Sequence, residues 1–258
     1  MQQTYPILEY DASTAAIIEP RRALKPMDIP QHCVVCFFQD VINKLDDEKH
    51  LTPVTTLRSE IGKHMVYEIN VDGQRLAILH PGVGAPLAAA LLEEIIALGC
   101  RKFIACGGCG VLDRDIAVGH LVVPHAAVRD EGTSYHYLPP AREVSASPQA
   151  VDAIIQTLTT HHVEHIVAKT WTTDAIYRET FAKIKQRREE GCLTVEMEAA
   201  AFFAVAQFRG VTFGQILYGG DDISGDMWDH RHWDKQASVR EKLFWLAAEA
   251  CLRLPITP

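Results

Sequence analysis

Three features are scarce in this 258-residue chain, and each absence closes off a class of function. No apolar run approaches the roughly 20 residues that a membrane-spanning helix needs, so no membrane role is expected. Basic residues are outnumbered, with 25 Lys and Arg against 33 Asp and Glu for a formal charge of -8. Tracking a nucleic-acid backbone needs a clustered positive surface, so nucleic acid is not the expected partner. The opening MQQTYPILEYDAS has neither the basic start nor the apolar centre of a secretory signal, which points to the cytoplasm. Cysteine is present but odd in number: seven, mostly in apolar settings such as CVVCFF, ALGC and FIACGGC. They read as free buried thiols in a reducing compartment, and the expected ligand is a small molecule.

Residues 1–30 are punctuated by Pro6, Pro20, Pro26 and Pro30 without periodicity and read as an N-terminal arm. From residue 31 to 258 the pattern is regular and reads as one α/β domain. Short β-branched or apolar runs predict strands over His32–Phe38, Met65–Val71, Arg75–His80, Lys102–Cys106, His120–Pro124, His165–Thr172 and Thr212–Tyr218. Apolar residues recurring at three and four predict helices over Ala85–Leu98, Pro148–His161, Glu179–Glu190, Glu196–Arg209 and Asp234–Leu254.

The stretch RKFIACGGCGVL, Arg101 to Leu112, can be read in two ways. Cys106 and Cys109 form a C-x-x-C, as do Cys33 and Cys36, and four convergent thiolates would make a zinc site. Cys33 and Cys36, however, lie in one apparent strand, where residues three apart face opposite sides and their sulfurs diverge. Buried core thiols are therefore the expectation, with no metal. The glycines carry the second reading. Gly107, Gly108 and Gly110 follow the run KFIAC, where a backbone without side chains can turn and approach a ligand at the carboxyl end of a strand. Gly82 and Gly84 repeat that arrangement before a helix with Pro86 in its first turn, which offers amides to an anion or hydroxyl.

Two further stretches carry chemistry. In VEMEAAA, Glu196 and Glu198 bracket Met197 at the head of an alanine-rich helix, whose positive end suits carboxylates. In LYGGDDIS, an apolar strand reaches Gly219 and Gly220 and then Asp221, placed to act as a general acid. Adjacent Asp222 points elsewhere and reads as structural. Arg129 to Tyr137 is expected to line a cleft or a subunit contact. Trp228 and Trp233 cap the pocket or pack on the last helix. Asp226, Asp229, His230 and His232 lack metal-ligand spacing, and His161, His162 and His165 read as surface residues.

PGVGAP, the GGCG turn, VGHLVVPHAAVRDEGTSYHYLPP, TTDAIY, VEMEAAA and GGDDIS occur here in the order seen in nucleoside phosphorylases of the purine and uridine type. The chain resembles that family from roughly Cys33 to Leu254. The resemblance implies a mixed, distorted β-sheet barrel flanked by helices, and a homo-oligomer, a hexamer or an assembly of dimers. It implies cleavage of a nucleoside's N-glycosidic bond with phosphate as co-substrate and no other cofactor. Under it, Met197 and Glu198 contact ribose with Glu196 nearby. Asp221 is the acid that protonates a purine at N7, and Ile176 and Tyr177 fall in the base pocket. Gly82, Gly84, Gly107 and Gly108 border the phosphate or water site.

One part of the pattern is missing. The family places an arginine two positions before the GGCG turn and a Thr or Ser just after its first glycine; here Ala105 and Gly108 stand there. Its Gly-Asp-x-x-Arg loop is replaced by Phe37-Phe38-Gln39-Asp40-Val41. Three readings follow: phosphate held instead by Arg58, Lys63 or Arg129 with the Gly82–Gly84 amides, within one subunit or across a subunit boundary; water as acceptor; or nucleoside binding without turnover.

Overall fold

The computed structural model describes residues 3–256. The elements in chain order are α1 (Pro20–Ala23), β1 (His32–Cys36), α2 (Gln39–Asp47), β2 (Thr52–Ser59), β3 (Gly62–Val71) and β4 (Gln74–Leu79). Then come α3 (Ala85–Leu98), β5 (Lys102–Val111), β6 (Leu121–Asp130), β7 (Glu143–Ser145), α4 (Pro148–Thr160) and β8 (His165–Thr173). The last are α5 (Phe181–Glu189), β9 (Cys192–Glu196), α6 (Ala199–Arg209), β10 (Thr212–Asp222) and α7 (Ala237–Leu252).

Five strands close a ring in the order β5, β10, β6, β8, β9 and back to β5. From β5 the sheet also runs outward through β1, β4, β3 and β2, while β7 pairs with β6. The pairings β1–β4, β1–β5, β5–β10, β6–β8 and β8–β9 are parallel. The others, including the β2–β3–β4 meander, are antiparallel. The expected single α/β domain with a distorted barrel and flanking helices is what the chain forms.

Burial explains the layering. All five residues of β1, HCVVC, are buried, as parallel strands covered on both faces require. Cys33 joins the core layer built with α3 and α6, whereas Cys36 joins the layer under α2, α4 and α7. The two sulfurs therefore diverge as the strand geometry demanded, and all seven cysteines are free and buried. A third cluster gathers Val111, Val122, Ala168 and Leu217 from the ring strands with Ile116.

The structure corrects several sequence boundaries. GGCG is not a turn: β5 runs through it to Val111, and β10 likewise runs through Gly219 and Gly220 to Asp222. Those segments are held by each other, with Leu217, Tyr218 and Gly219 in register with Gly107, Gly108 and Cys109. The glycines there serve space rather than dihedral freedom. A Cβ at 107 would sit 3.1 Å from the Phe37 ring, and one at 108 would sit 3.1 Å from the Tyr218 ring. The strands β2, β7 and β9 and helix α2 are additional to the predicted elements, although Val41, Ile42 and Leu45 give α2 one apolar, buried face. In the N-terminal arm, Pro6–Leu8 forms a 3-10 turn and α1 follows. Leu24 packs on the α3–α6 core layer, and the Met27 amide donates to the Leu98 carbonyl over 3.0 Å.

Candidate active site

A cavity of about 570 Å³ opens where the parallel strands β1, β5 and β10 end, the place where open α/β sheets hold ligands. Its wall combines the segment after β1, the β4–α3 turn, the glycine half of β5, the β9–α6 junction, the end of β10 and Arg240 of α7.

The β9–α6 junction is built around Glu196. Its Oε2 accepts the backbone amides of Glu198 over 2.7 Å and Ala199 over 2.6 Å, satisfying donors that a helix start leaves open. Thr172 on β8 donates its hydroxyl to Glu196 Oε1 over 2.6 Å and accepts the Ala200 amide over 2.9 Å. Glu196 is thus an internal brace, and it sets the backbone that turns Met197 and Glu198 to the cavity. Glu198 receives the Gly84 amide on Oε1 over 2.6 Å. Gly84 has φ 95°, a conformation that favours glycine, and it stands immediately before α3. Burial raises both carboxyls above the ordinary range, and the Glu196 charge drives Glu198 further, to about 8. Three donors oppose that rise at Glu196, so Glu198 is the more strongly raised member of the pair.

Across the cavity, Asp221 accepts the Trp228 indole N–H on Oδ2 over 2.6 Å. A Cβ at position 110 would sit 3.0 Å from Val195 Cγ1, so the glycine in β5 leaves room for β9, with the Asp221 carboxylate beside it at ordinary contact distance. Glu179 is pushed up to about 7, by burial first and then by the Asp221 charge. Asp222 is structural: it pairs with Arg231 over 2.6 Å and accepts the Ser224 amide over 2.7 Å.

Residues 31–253 match the family model of the Phosphorylase superfamily. The chain belongs to this family. A guanosine phosphorylase of Halorubrum lacusprofundi is 34% identical over 64% of this chain and 68% of its own length. A uridine phosphorylase of Haemophilus influenzae is 24% identical over 68% and 73%. Among solved structures, a purine nucleoside phosphorylase from Toxoplasma gondii bound to immucillin-H superposes with a TM-score of 0.75 at 19% identity. That superposition covers 87% of this chain and 91% of the other. Membership makes the chain an enzyme acting on nucleosides.

In this family member the cavity draws together Glu196, Met197, Glu198, Asp221, Ile176, Gly107 and Gly108. Three expected residues, Tyr177, Gly82 and Gly84, stand apart from its lining. Tyr177 is 94% exposed, and Gly82 lies under Leu87 with its amide directed to His80 Nδ1 over 3.1 Å. With Gly84 bonded to Glu198, neither turn amide is open to an anion. Of the proposed basic substitutes, Arg129 is buried against Ser134 and the carbonyls of Leu138 and Pro139, and Arg58 and Lys63 pair across the β2–β3 hairpin. None of the three lines the cavity. The cation that does is Arg240, which contacts Asp40 over 3.2 Å and Tyr218 Oη over 3.3 Å beside the rings of Phe38 and Trp233. Sequence reading also missed Thr172, Glu179, Gln215 and Tyr218. Gln215, a lone amide in the apolar run TFGQILY, was the one with a visible signal. Among the described residues, no group of three or more His, Cys, Asp or Glu is disposed to hold a metal ion.

Proposed function

We propose that the protein cleaves the N-glycosidic bond of a purine nucleoside and passes the ribosyl group to phosphate, releasing free base and ribose 1-phosphate. The observation that carries this reading is the meeting of Glu198 and Asp221, from separate parts of the chain, across one nucleoside-sized cavity. As the C1′–N9 bond breaks, its electron pair moves into the base and Asp221 supplies a proton at N7. Glu198, deprotonated on binding, accepts the sugar hydroxyls and offsets the positive charge that develops on ribose. A phosphate oxygen then forms the new bond to C1′. Met197 packs against the sugar, Ile176 borders the base, and Glu179, raised to about 7, titrates beside Asp221 around neutral pH.

No cofactor enters this reading. The free thiols suit a cytoplasmic setting. Large apolar side chains at Ile176, Tyr177, Phe181, Met227 and Trp228 remain in solvent, which supports assembly into a homo-oligomer.

A second reading, hydrolysis by water, is favoured by one observation. The floor at Gly107 and Gly108 lies against the rings of Phe37 and Tyr218, and Arg240 is the only Lys or Arg among the described residues lining the cavity. Turnover by either route is tested with Asp221→Asn, assayed on inosine and guanosine. The substitution is expected to lower kcat by about 100-fold or more while shifting nucleoside affinity far less. Equal losses in both would remove Asp221 from the acid role.

A further inference from the structure

The buried amide of Gln215 lines the cavity, and the reaction scheme leaves its chemistry unused. Gln215 lies in the middle of β10, is 1% exposed, and its Oε1 has no hydrogen-bond partner among the described residues. An orphaned buried acceptor costs on the order of 1–3 kcal/mol, so its retention asks for a partner that arrives from outside. Swapping O and N of the amide does not remove the difficulty, because the same position then holds a donor without an acceptor.

The surroundings fix where that partner sits. Gln215 is in register with Ala105 on the adjacent parallel strand β5, so both side chains face the same way, and the methyl group of Ala105 leaves the space to the longer amide. One step further along β5 are Gly107 and Gly108, which present backbone only. The amide therefore borders the part of the cavity floor that lacks side chains, and that cavity also contains Glu198. A carboxamide differs from a guanidinium in offering donor and acceptor together and in carrying no charge.

Resting on the phosphorolytic reading above, we propose that Gln215 is a specificity-determining residue for the acceptor. Its NH2 group donates to a phosphate oxygen while its carbonyl oxygen accepts the P–OH proton, so the site selects monohydrogen phosphate over anions that carry no proton. Arsenate, which shares that proton at neutral pH, is accepted in its place. Sulfate, a dianion of the same shape without an O–H, leaves the carbonyl oxygen unsatisfied and is rejected. Arg240, the cation lining the same cavity, supplies the charge, and Gln215 supplies the discrimination.

The test is steady-state kinetics on inosine and guanosine with phosphate or arsenate as acceptor and sulfate as competitor, for the natural protein and for Gln215→Leu. The natural protein is expected to bind sulfate at least about tenfold more weakly than phosphate. Gln215→Leu is expected to raise the KM for phosphate about tenfold with the KM for nucleoside nearly unchanged, and to narrow the phosphate-to-sulfate ratio. The sulfate comparison needs no variant, so it stands even if Gln215→Leu folds poorly. Ribose 1-phosphate formed with equal phosphate and sulfate affinity, or with an unchanged phosphate KM in Gln215→Leu, overturns this proposal alone. Free ribose as product regardless of phosphate overturns it together with the reading on which it rests.

Discussion

Gly84 and Glu198 are joined by a hydrogen bond of 2.6 Å from the backbone amide of one to the carboxylate of the other. The contact ties the turn before α3 to the junction before α6, so two segments far apart in sequence are set by one another. Position 84 has φ 95° and open space where a side chain would go, so Gly84→Ala suffers from its dihedral alone. A loss of about 1–2 kcal/mol is expected, read as a lower Tm. Because the amide shifts with the strained backbone, the nucleoside KM should rise as well; a lower Tm with unaltered KM would detach Gly84 from the site.

Glu198 sets a pH dependence. Its folded value is raised to about 8, so in the free enzyme it is protonated below that pH and cannot receive two sugar hydroxyls. The expected profile of kcat/KM rises from pH 6 toward pH 8.5, and Glu198→Gln flattens this limb while lowering the plateau. The same shift bears on stability. A carboxyl whose folded value exceeds its unfolded one favours the fold below the unfolded value, and that contribution is lost as pH rises through the folded value. Tm should therefore fall between about pH 5 and pH 8.5 in the empty enzyme, and Glu198→Gln should weaken the trend.

The brace beneath Glu198 has a stability signature. Glu196→Ala strips acceptors from the amides of Glu198 and Ala199 and from the Thr172 hydroxyl, all buried, and should cost about 3 kcal/mol. Thr172→Val, which removes one donor and one acceptor, should cost about 1 kcal/mol. Denaturant unfolding of both variants checks the order; a larger loss in Thr172→Val would reverse the assigned roles.

Thiol chemistry gives an independent check of the packing. All seven cysteines are buried, and burial pushes Cys33, Cys106 and Cys109 well above the usual thiol range. Cys109 borders the cavity yet faces the charges of Glu196 and Asp221, which disfavour a thiolate further. The native protein at pH 7.5 should react with a disulfide reagent only at its global unfolding rate, whereas rapid labelling of any cysteine would show that the core opens locally.

Much of this site was legible because its residues sit in punctuated sequence. VEMEAAA and the Gly-Asp junction before Ile223 mark Glu198 and Asp221, and PGVGAP marks the α3 start. Elements stabilised only by pairing were not legible. The edge strand β2, TPVTTLRS, is half exposed and polar, and β9 is five residues that run directly into a helical pattern. GGCG reads as a turn because glycine has little strand preference. In the fold, β10 and β9 hold it extended, and its missing side chains make room for Phe37, Tyr218 and Val195. Arg240 joins the site from a helix whose local sequence has no motif, and Thr172, although it opens TTDAIY, is tied to the site only through its bond to Glu196, so the tertiary arrangement assigns both.

The most direct measurement follows the sugar. A panel of purine and pyrimidine nucleosides is incubated with the enzyme, with and without phosphate, and the sugar product is identified. The expected result is phosphate-dependent formation of ribose 1-phosphate and free base from the purine nucleosides. Free ribose formed whether or not phosphate is present, or a panel left intact, would contradict it.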